Sequence, residues 1–171
     1  MGKQYVVNPE PLTGAAFAPY GIAIVAVQPP APKTGVDWDC WFPLAALSAG
    51  QPSVGLVVTR PTQAPITAME REPVTEMVIP VERAIVQLVA LPGDLRDYTQ
   101  QPDAATVRAF VVRPGQGIVM APGTWHWAAL PLEEPATYYF ATEPHPPEPG
   151  REDSPWVPFG HGDTVRLVLP A

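Results

Sequence analysis

The chain has 171 residues, of which 46% are hydrophobic and 25 are proline, and its formal net charge is −7. Proline at about three times its ordinary frequency excludes long helices, because helix interiors do not accommodate it. The acidic balance excludes nucleic acid and anionic membrane surfaces as partners, since both are bound through basic patches. The single cysteine allows no internal disulfide. With no apolar leader and no apolar run of about 18 residues, we expect one cytoplasmic domain that handles a small molecule.

The first half of the chain predicts short elements separated by proline. Thr13 is expected to cap a one-turn helix that Pro19 ends. An aromatic-rich stretch over 37–47 has no clear pattern. The apolar or alternating segments that predict strands are 21–27, 53–59, 67–72 and the short piece 78–79, with a loop over 28–36.

The second half contains the strongest candidate for a buried strand, the apolar run over 84–91. Residues 94–106 are polar and predict a surface loop, and residues 143–158 contain six prolines and predict an extended arm. The other predicted strands are 107–112, 117–120, 126–130, 137–142 and 164–169. About nine or ten short strands joined by Gly and Pro turns indicate an all-β antiparallel sandwich or barrel.

One turn and the residues after it form the first candidate site. Residues 115–130 read GQGIVMAPGTWHWAAL, in which Pro122 and Gly123 favour a tight turn between two strands. His126 begins the second strand, with a tryptophan on each side. An imidazole fixed at a strand edge is a good metal ligand or proton carrier. The other interpretation is a structural histidine in an aromatic cluster.

Three glutamates form the second candidate site. Glu70 and Glu72 share one face of a strand because side chains alternate, and Glu76 follows. If this strand faces His126 across a barrel interior, Glu70, Glu72, Glu76 and His126 would form a site for a divalent metal, Mn, Fe, Ni or Zn. Without a metal, clustered carboxylates raise one another's pKa and provide a general acid and base. The remaining interpretation is a solvated charged strand.

Both candidate sites resemble the two strand motifs of cupin barrels. The first cupin motif is His-x-His followed by Glu, and Glu70, Glu72 and Glu76 resemble it with both histidines replaced. The second places Pro and Gly shortly before a single His, as the turn before His126 does. The resemblance implies a cupin-like antiparallel β-barrel of the jelly-roll type, with little helix.

Within the cupins, the chain resembles the ureidoglycolate lyase family. The similar segments run in order from about residue 10 to residue 142: Glu10-Pro11-Leu12-Thr13, Ala16-Phe17-Ala18-Pro19-Tyr20-Gly21, Glu70-Arg71 with Pro73, Ile79-Pro80, Val89-Ala90-Leu91-Pro92-Gly93-Asp94, Pro102-Asp103, Val107-Arg108-Ala109-Phe110, Gly115-Gln116-Gly117 and Gly123-Thr124-Trp125-His126. The departures are Ile22, Glu72, Val119, Met120 and Trp127, where the family has polar residues or histidine.

The resemblance implies cleavage of a C–N bond in a small carboxylated ureido or amide substrate, with ureidoglycolate giving glyoxylate and urea. Such a step needs a base, an acid and a group that holds the carboxylate. The residues expected in these roles are His126 as acid, Glu76 or Glu72 as base, Arg71 or Arg60 on the carboxylate, and Trp125, Trp127, Met120 and Tyr20 as further substrate contacts. Apolar residues at Val119, Met120, Trp125 and Trp127 favour a less polar pocket than the family norm.

The resemblance divides the chain into a barrel, residues 1–142, and a proline-rich C-terminal arm, residues 143–171, whose terminal strand packs on the barrel or on a partner subunit. A homodimer is expected, because twofold dimers are the commonest oligomers. The residues indicate no certain cofactor, and the divalent metal considered above, Mn, Fe, Ni or Zn, is the one candidate. The alternative function is a divergent cupin, non-catalytic or metal-dependent, that binds a small and more apolar ligand.

Overall fold

The computed structural model describes residues 2–25, 33–35, 39–47 and 50–169. Parts of the predicted strand 21–27, the loop 28–36 and the stretch 37–47 lie outside these described residues. Within these ranges the one α-helix is α1 (Gly14–Phe17), and short 3-10 turns span Ala104–Thr106 and Gly160–Gly162. The strands are β1 (Gln4–Val7), β2 (Pro9–Pro11), β3 (Gly21–Ile24), β4 (Lys33–Thr34), β5 (Asp39–Cys40), β6 (Ser53–Thr59), β7 (Ala68–Met69), β8 (Glu76–Pro80), β9 (Ile85–Ala90), β10 (Arg108–Val112), β11 (Gly117–Met120), β12 (Trp125–His126), β13 (Leu130–Pro131), β14 (Ala136–Thr142), β15 (Val157–Pro158) and β16 (Thr164–Leu167).

Two five-stranded sheets form the body of the fold. Sheet A has the order β12-β9-β10-β2, with β13 also paired to β9, and sheet B has the order β3-β11-β8-β14-β6. The remaining described strands form the pairs β1-β16, β7-β15 and β4-β5. The all-β, cupin-like prediction is confirmed. However, the described strands do not close into a barrel, and β1-β16 and β2-β10 are parallel pairs rather than antiparallel ones.

The main core lies between the two sheets. Strand β9 is buried along its whole length, and its side chains alternate between two clusters, as the period of a strand requires. Ile85 and Val89 point into the cluster shared with sheet B. Val86 and Leu88 point into a second cluster on the outer face of sheet A. An apolar run without alternation, as predicted for residues 84–91, is therefore explained by packing on both faces.

The outer face of sheet A is covered by the C-terminal arm and the terminal strands. Val157 and Phe159 of the arm and Val165 of β16 belong to the second cluster. Strand β15 pairs with β7, and β16 pairs with β1. The terminal strand thus lies on the body of its own chain.

Several predicted elements differ from the observed ones. The helix prediction is confirmed, because the Thr13 hydroxyl accepts a hydrogen bond from the Ala16 N–H. The predicted strand over 67–72 is reduced to β7 plus one bridge at Glu70, since Pro73 and the turn around it interrupt pairing. The predicted strand over 126–130 is displaced to Trp125–His126. Strands β1 and β2 were not predicted, because they have no apolar alternation of their own. None of the described helices is long and apolar enough to cross a membrane.

Candidate active site

His126 lies at the edge of sheet A, immediately after a turn with several backbone constraints. Gly123 has a φ of 82°, and a Cβ at this position would lie 2.8 Å from the Gly93 carbonyl oxygen, so a glycine is required. The Thr124 hydroxyl donates to the Tyr20 carbonyl at 2.9 Å. Strand β12 then places His126 opposite Val89, on the face of β9 that points between the sheets.

Glu70 is held directly opposite His126. The Glu70 N–H donates to the His126 carbonyl at 3.0 Å, and the His126 N–H donates to the Glu70 carbonyl at 2.8 Å. Residues that exchange both backbone hydrogen bonds have side chains on the same face. The Glu70 carboxylate therefore points between the sheets, as the imidazole does.

Glu76 approaches the same imidazole from sheet B. It begins β8, between Met120 of β11 and Thr142 of β14. The His126 Nε2 atom lies 3.8 Å from Glu70 Oε1 and 4.0 Å from Glu76 Oε1. The other ring nitrogen, Nδ1, lies 3.0 Å from the Thr124 carbonyl oxygen and so donates a hydrogen to it. Nε2 is buried and has no hydrogen-bond partner among the described residues.

These three side chains line a cavity of about 150 Å³ between the sheets. The wall also contains the polar side chains of Gln87 and Tyr138. The apolar wall residues are Val57, Val78, Trp127, Ala128, Ala129 and Phe140. Among the described residues that line the cavity, none is an arginine or a lysine. The cavity thus has polar groups that carry or exchange protons on one side and apolar walls on the other.

The enclosed carboxylates and the imidazole shift one another's pKa. Burial raises the pKa of Glu70 to about 7; His126 opposes this rise, and Glu72 and Glu76 add to it. Burial also raises the pKa of Glu76. Burial alone would lower the pKa of His126, but the Glu76 and Glu70 carboxylates and the Thr124 carbonyl outweigh it, and the pKa is raised. Glu70 therefore exchanges its proton near neutral pH, as a general acid or base must.

Imidazole and carboxylate are suitable ligands for the divalent metals considered above. In the described part of the chain, no three His, Cys, Asp or Glu side chains are arranged to hold a metal ion. Glu72, the fourth predicted ligand, contacts a different residue. We therefore assign no reaction step to a metal.

Glu72 is paired with a histidine of the C-terminal arm. His145 Nε2 is in hydrogen-bond contact with Glu72 Oε2, and both side chains lie beside a cleft outside the cavity. The predicted roles of Glu72, as base or as ligand, assumed a strand that continued past Glu70. The structure instead ends strand pairing at Glu70 and directs Glu72 to the arm.

Arg71 is buried and holds several segments of the chain together, and it is not exposed for ligand binding. Its side chain is completely buried and lies against Glu148 of the arm. Its guanidinium donates to Glu148 Oε1, to Gln100 Oε1 and to the Asp94 carbonyl, each at 3.1 Å, and to the Asp97 carbonyl at 2.8 Å. It also packs 4.7 Å from the centre of the Trp125 ring. Because the Arg71 side chain is completely buried, it has no exposed surface with which to make the predicted contact with a substrate carboxylate.

The other predicted substrate contacts are divided between the cavity and the core. Trp127 lines the cavity, and Gln87 Nε2 donates to its carbonyl at 2.6 Å. Met120 and Tyr20 belong to the main core, and Trp125 belongs to the cluster on the outer face of sheet A. Of the four residues expected to make the pocket less polar, Trp127 alone is in the cavity wall, because Val119 and Trp125 point away from it and Met120 packs in the core. Arg60 is exposed just after β6.

Sequence comparison with known proteins places the chain in a family. The sequence profile of the ureidoglycolate lyase family matches residues 4–152. The chain belongs to the ureidoglycolate lyase family. A ureidoglycolate lyase from Burkholderia mallei is 34% identical over 134 residues, covering 73% of this chain and 75% of that protein. One from a Chelativorans species is 29% identical over 133 residues, covering 73% and 77%.

Solved structures give a looser likeness. The TDP-quinovose 3,4-ketoisomerase WlaRB from Campylobacter jejuni aligns with a TM-score of 0.40 at 10% identity, over 62% of this chain and 68% of that one. The ureidoglycolate lyase match is the finding that identifies the family. It also extends ten residues beyond the segment over which the motifs resemble that family, into the arm that carries His145 and Glu148.

Sequence reasoning missed Tyr138, Gln87 and His145. Tyr138 is 4% exposed and lines the cavity; the alternation of β14 was a signal for which of its residues face inward. Gln87 is a polar residue inside the most apolar strand, which is itself a sign of a buried polar site. His145 had no signal, because it follows no periodic element and contacts a residue 73 positions earlier.

Proposed function

We propose that this member of the ureidoglycolate lyase family cleaves ureidoglycolate to glyoxylate and urea. The observation that carries the proposal is the buried, unpartnered Nε2 of His126 beside the carboxylates of Glu70 and Glu76. Family membership supports the choice of substrate. The enzyme would be a carbon–nitrogen lyase of purine-derived ureide breakdown.

The reaction needs one proton removed and one delivered. A base takes the proton of the substrate hydroxyl, the oxygen forms the carbonyl of glyoxylate, and the C–N electron pair leaves with the urea nitrogen. An acid then protonates that nitrogen, so atoms and charge balance without an oxidant or a reductant. His126 is the acid in this proposal, because the carboxylates of Glu76 and Glu70 lie beside Nε2 and raise the pKa of the imidazole, which favours its protonated form.

Glu70 is the base in this proposal. Its pKa of about 7 is close to the working pH, which favours proton acceptance followed by release. Glu76 contributes most to the charged form of His126 among the neighbouring carboxylates, so it acts as the counter-ion of the acid. After each turnover the proton returns from Glu70 to His126; because their atoms lie 3.8 Å apart, the transfer goes through one bridging water.

Tyr138 is the donor that contacts the substrate in this proposal. Burial raises its pKa to about 12, so the hydroxyl keeps its proton at neutral pH. It lines the cavity with the acid and base. A neutral donor suits a developing carbonyl or a carboxylate oxygen inside a cavity without arginine.

The test is release of glyoxylate and urea from ureidoglycolate by purified protein. We expect Glu70→Gln and His126→Asn each to lower kcat by about 10² to 10⁴, the usual contribution of one proton-transferring group. Glu133→Gln is the matched control, since Glu133 is exposed and is not among the residues that line the cavity, and it should keep full activity. Unchanged turnover in either cavity variant would reject the assigned roles.

The apolar wall favours a second candidate, a cupin that binds a small ligand with an apolar face and does not turn it over. Phe140, Trp127 and Val57 belong to that wall. The same assay separates the two functions. Binding of ureidoglycolate without product would support the binding protein, whereas product formation that depends on Glu70 supports the lyase.

We also propose a homodimer formed through β6. Among the described strands, β6 pairs only with β14, and so it is a sheet edge. Val54, Leu56 and Val58 are 71%, 56% and 50% exposed, and Tyr139 lies opposite Leu56. An apolar edge strand pairs readily with another strand, and two copies of β6 are complementary about a twofold axis. Light scattering should give a dimer for the wild type and a monomer for Leu56→Glu; a monomeric wild type would reject the proposal.

A further inference from the structure

The C-terminal arm places a histidine at the edge of the candidate active site. Strand β14 ends at Thr142, which lies opposite Glu76. His145 follows three residues later and contacts Glu72, two residues after Glu70. The arm therefore leaves the sheet beside the cavity residue Glu76 and contacts Glu72, which lies in the neighbouring cleft.

The contacts of His145 define its charge. Nδ1 lies 2.9 Å from the Pro146 carbonyl oxygen, and Nε2 faces the Glu72 carboxylate. Both partners offer acceptor oxygens, and these contacts favour the cationic imidazole, in which both ring nitrogens carry hydrogen. The side chains of His145 and Glu72 are 23% and 17% exposed, and an ion pair this sheltered is screened less than a surface pair.

The His145–Glu72 pair reduces the excess of negative charge near the cavity. Glu70, Glu72 and Glu76 are close enough for their charges to interact, whereas His126 is the one basic side chain that lines the cavity among the described residues. Arg71 and Arg151 lie in the neighbouring cleft, but they share Glu148 and backbone carbonyls. A substrate that carries a carboxylate would meet an excess of negative charge.

We propose that His145 is the counter-ion that neutralises Glu72 and thereby lets an anionic substrate enter the acidic cavity. This inference rests on the proposed lyase function for the identity of the anion. His145 is thus a specificity-determining residue, which acts through the charge of Glu72 and does not transfer a proton. The class of substrate that it selects is small molecules with one free carboxylate.

The experiment compares three variants, His145→Gln, Glu72→Gln and the double variant, in the ureidoglycolate assay. We expect His145→Gln to raise KM about tenfold, since one uncompensated charge faces an anion, with kcat within about twofold of the wild type. Adding Glu72→Gln should restore KM, because the charge that needed neutralising is gone. The increase in KM should also shrink with added NaCl, as charge effects do.

A purely structural role of His145 gives the opposite pattern. If the contact only fastens the arm, Glu72→Gln alone would raise KM, and the double variant would stay as poor as His145→Gln; either result overturns the inference. Thermal unfolding of each variant shows whether the arm is loosened. If the wild type does not turn over ureidoglycolate, the proposed function fails, and glyoxylate binding by calorimetry still tests the inference. No loss of glyoxylate affinity in His145→Gln would overturn it.

Discussion

Replacing Arg71 with alanine separates a structural role from the substrate-binding role that the sequence predicted. The guanidinium makes four hydrogen bonds, and its partner Glu148 is 9% exposed. Removing one partner of a buried ion pair costs about 3–5 kcal/mol. Arg151 remains beside Glu148, so we expect the lower end, about 3 kcal/mol of unfolding free energy. For a chain of this size that corresponds to roughly 6–12 °C in Tm.

Urea unfolding followed by tryptophan fluorescence measures this loss, and calorimetry measures the shift in Tm. Arg83→Ala is the matched control: Arg83 pairs with Glu134 on the surface, where the two side chains are 50% and 68% exposed, and its loss should cost less than about 1 kcal/mol. A loss below about 1 kcal/mol in Arg71→Ala, together with a large rise in KM, would refute the structural assignment. It would return Arg71 to the role of a carboxylate-binding group.

Three further predictions concern the cavity and its turn. The dependence of kcat/KM on pH should be bell-shaped. The value rises through a pKa of about 7 as Glu70 loses its proton, and it falls above the raised pKa of His126 as the acid loses its proton. A pH titration of Glu70→Gln should show no rising limb. Tyr138→Phe should lower kcat/KM about tenfold while changing unfolding free energy by about 1 kcal/mol, and an unchanged kcat/KM would exclude Tyr138 from the site. Gly123→Ala should cost about 1–3 kcal/mol in urea unfolding, because its φ is positive; full stability would show that the turn relaxes.

The sequence was sufficient for the parts of the site that depend on local geometry. His126 follows a turn whose residues define their own conformation, so its position at a strand edge was predictable. Glu76 lies two residues before the predicted apolar piece 78–79, which the structure extends to Glu76–Pro80. Trp125 could also have been assigned, because it is next to His126 in a strand and therefore points to the opposite face.

The parts that depend on long-range contacts were not predictable. The alternation of side chains along a strand predicts Glu72 on the same face as Glu70. The strand pairing ends at Glu70, however, so this alternation does not apply to Glu72. Arg71 was assigned by its chemistry, but Glu148 and Gln100, which use its donors, lie 77 and 29 residues away. No local sequence pattern indicates which distant residues accept the hydrogen bonds of a guanidinium.

The parallel pairing of β1 with β16 has a consequence for how the chain folds during synthesis. Lys3 donates to Asp163 across a sequence separation of 160 residues, and Tyr5 lies opposite Val165. Strand β1 leaves the ribosome early and has no partner in this pair until β16 has been made. Contacts of such long range slow folding and leave strand edges exposed in the meantime. We expect the nascent chain to stay sensitive to proteases until β16 emerges.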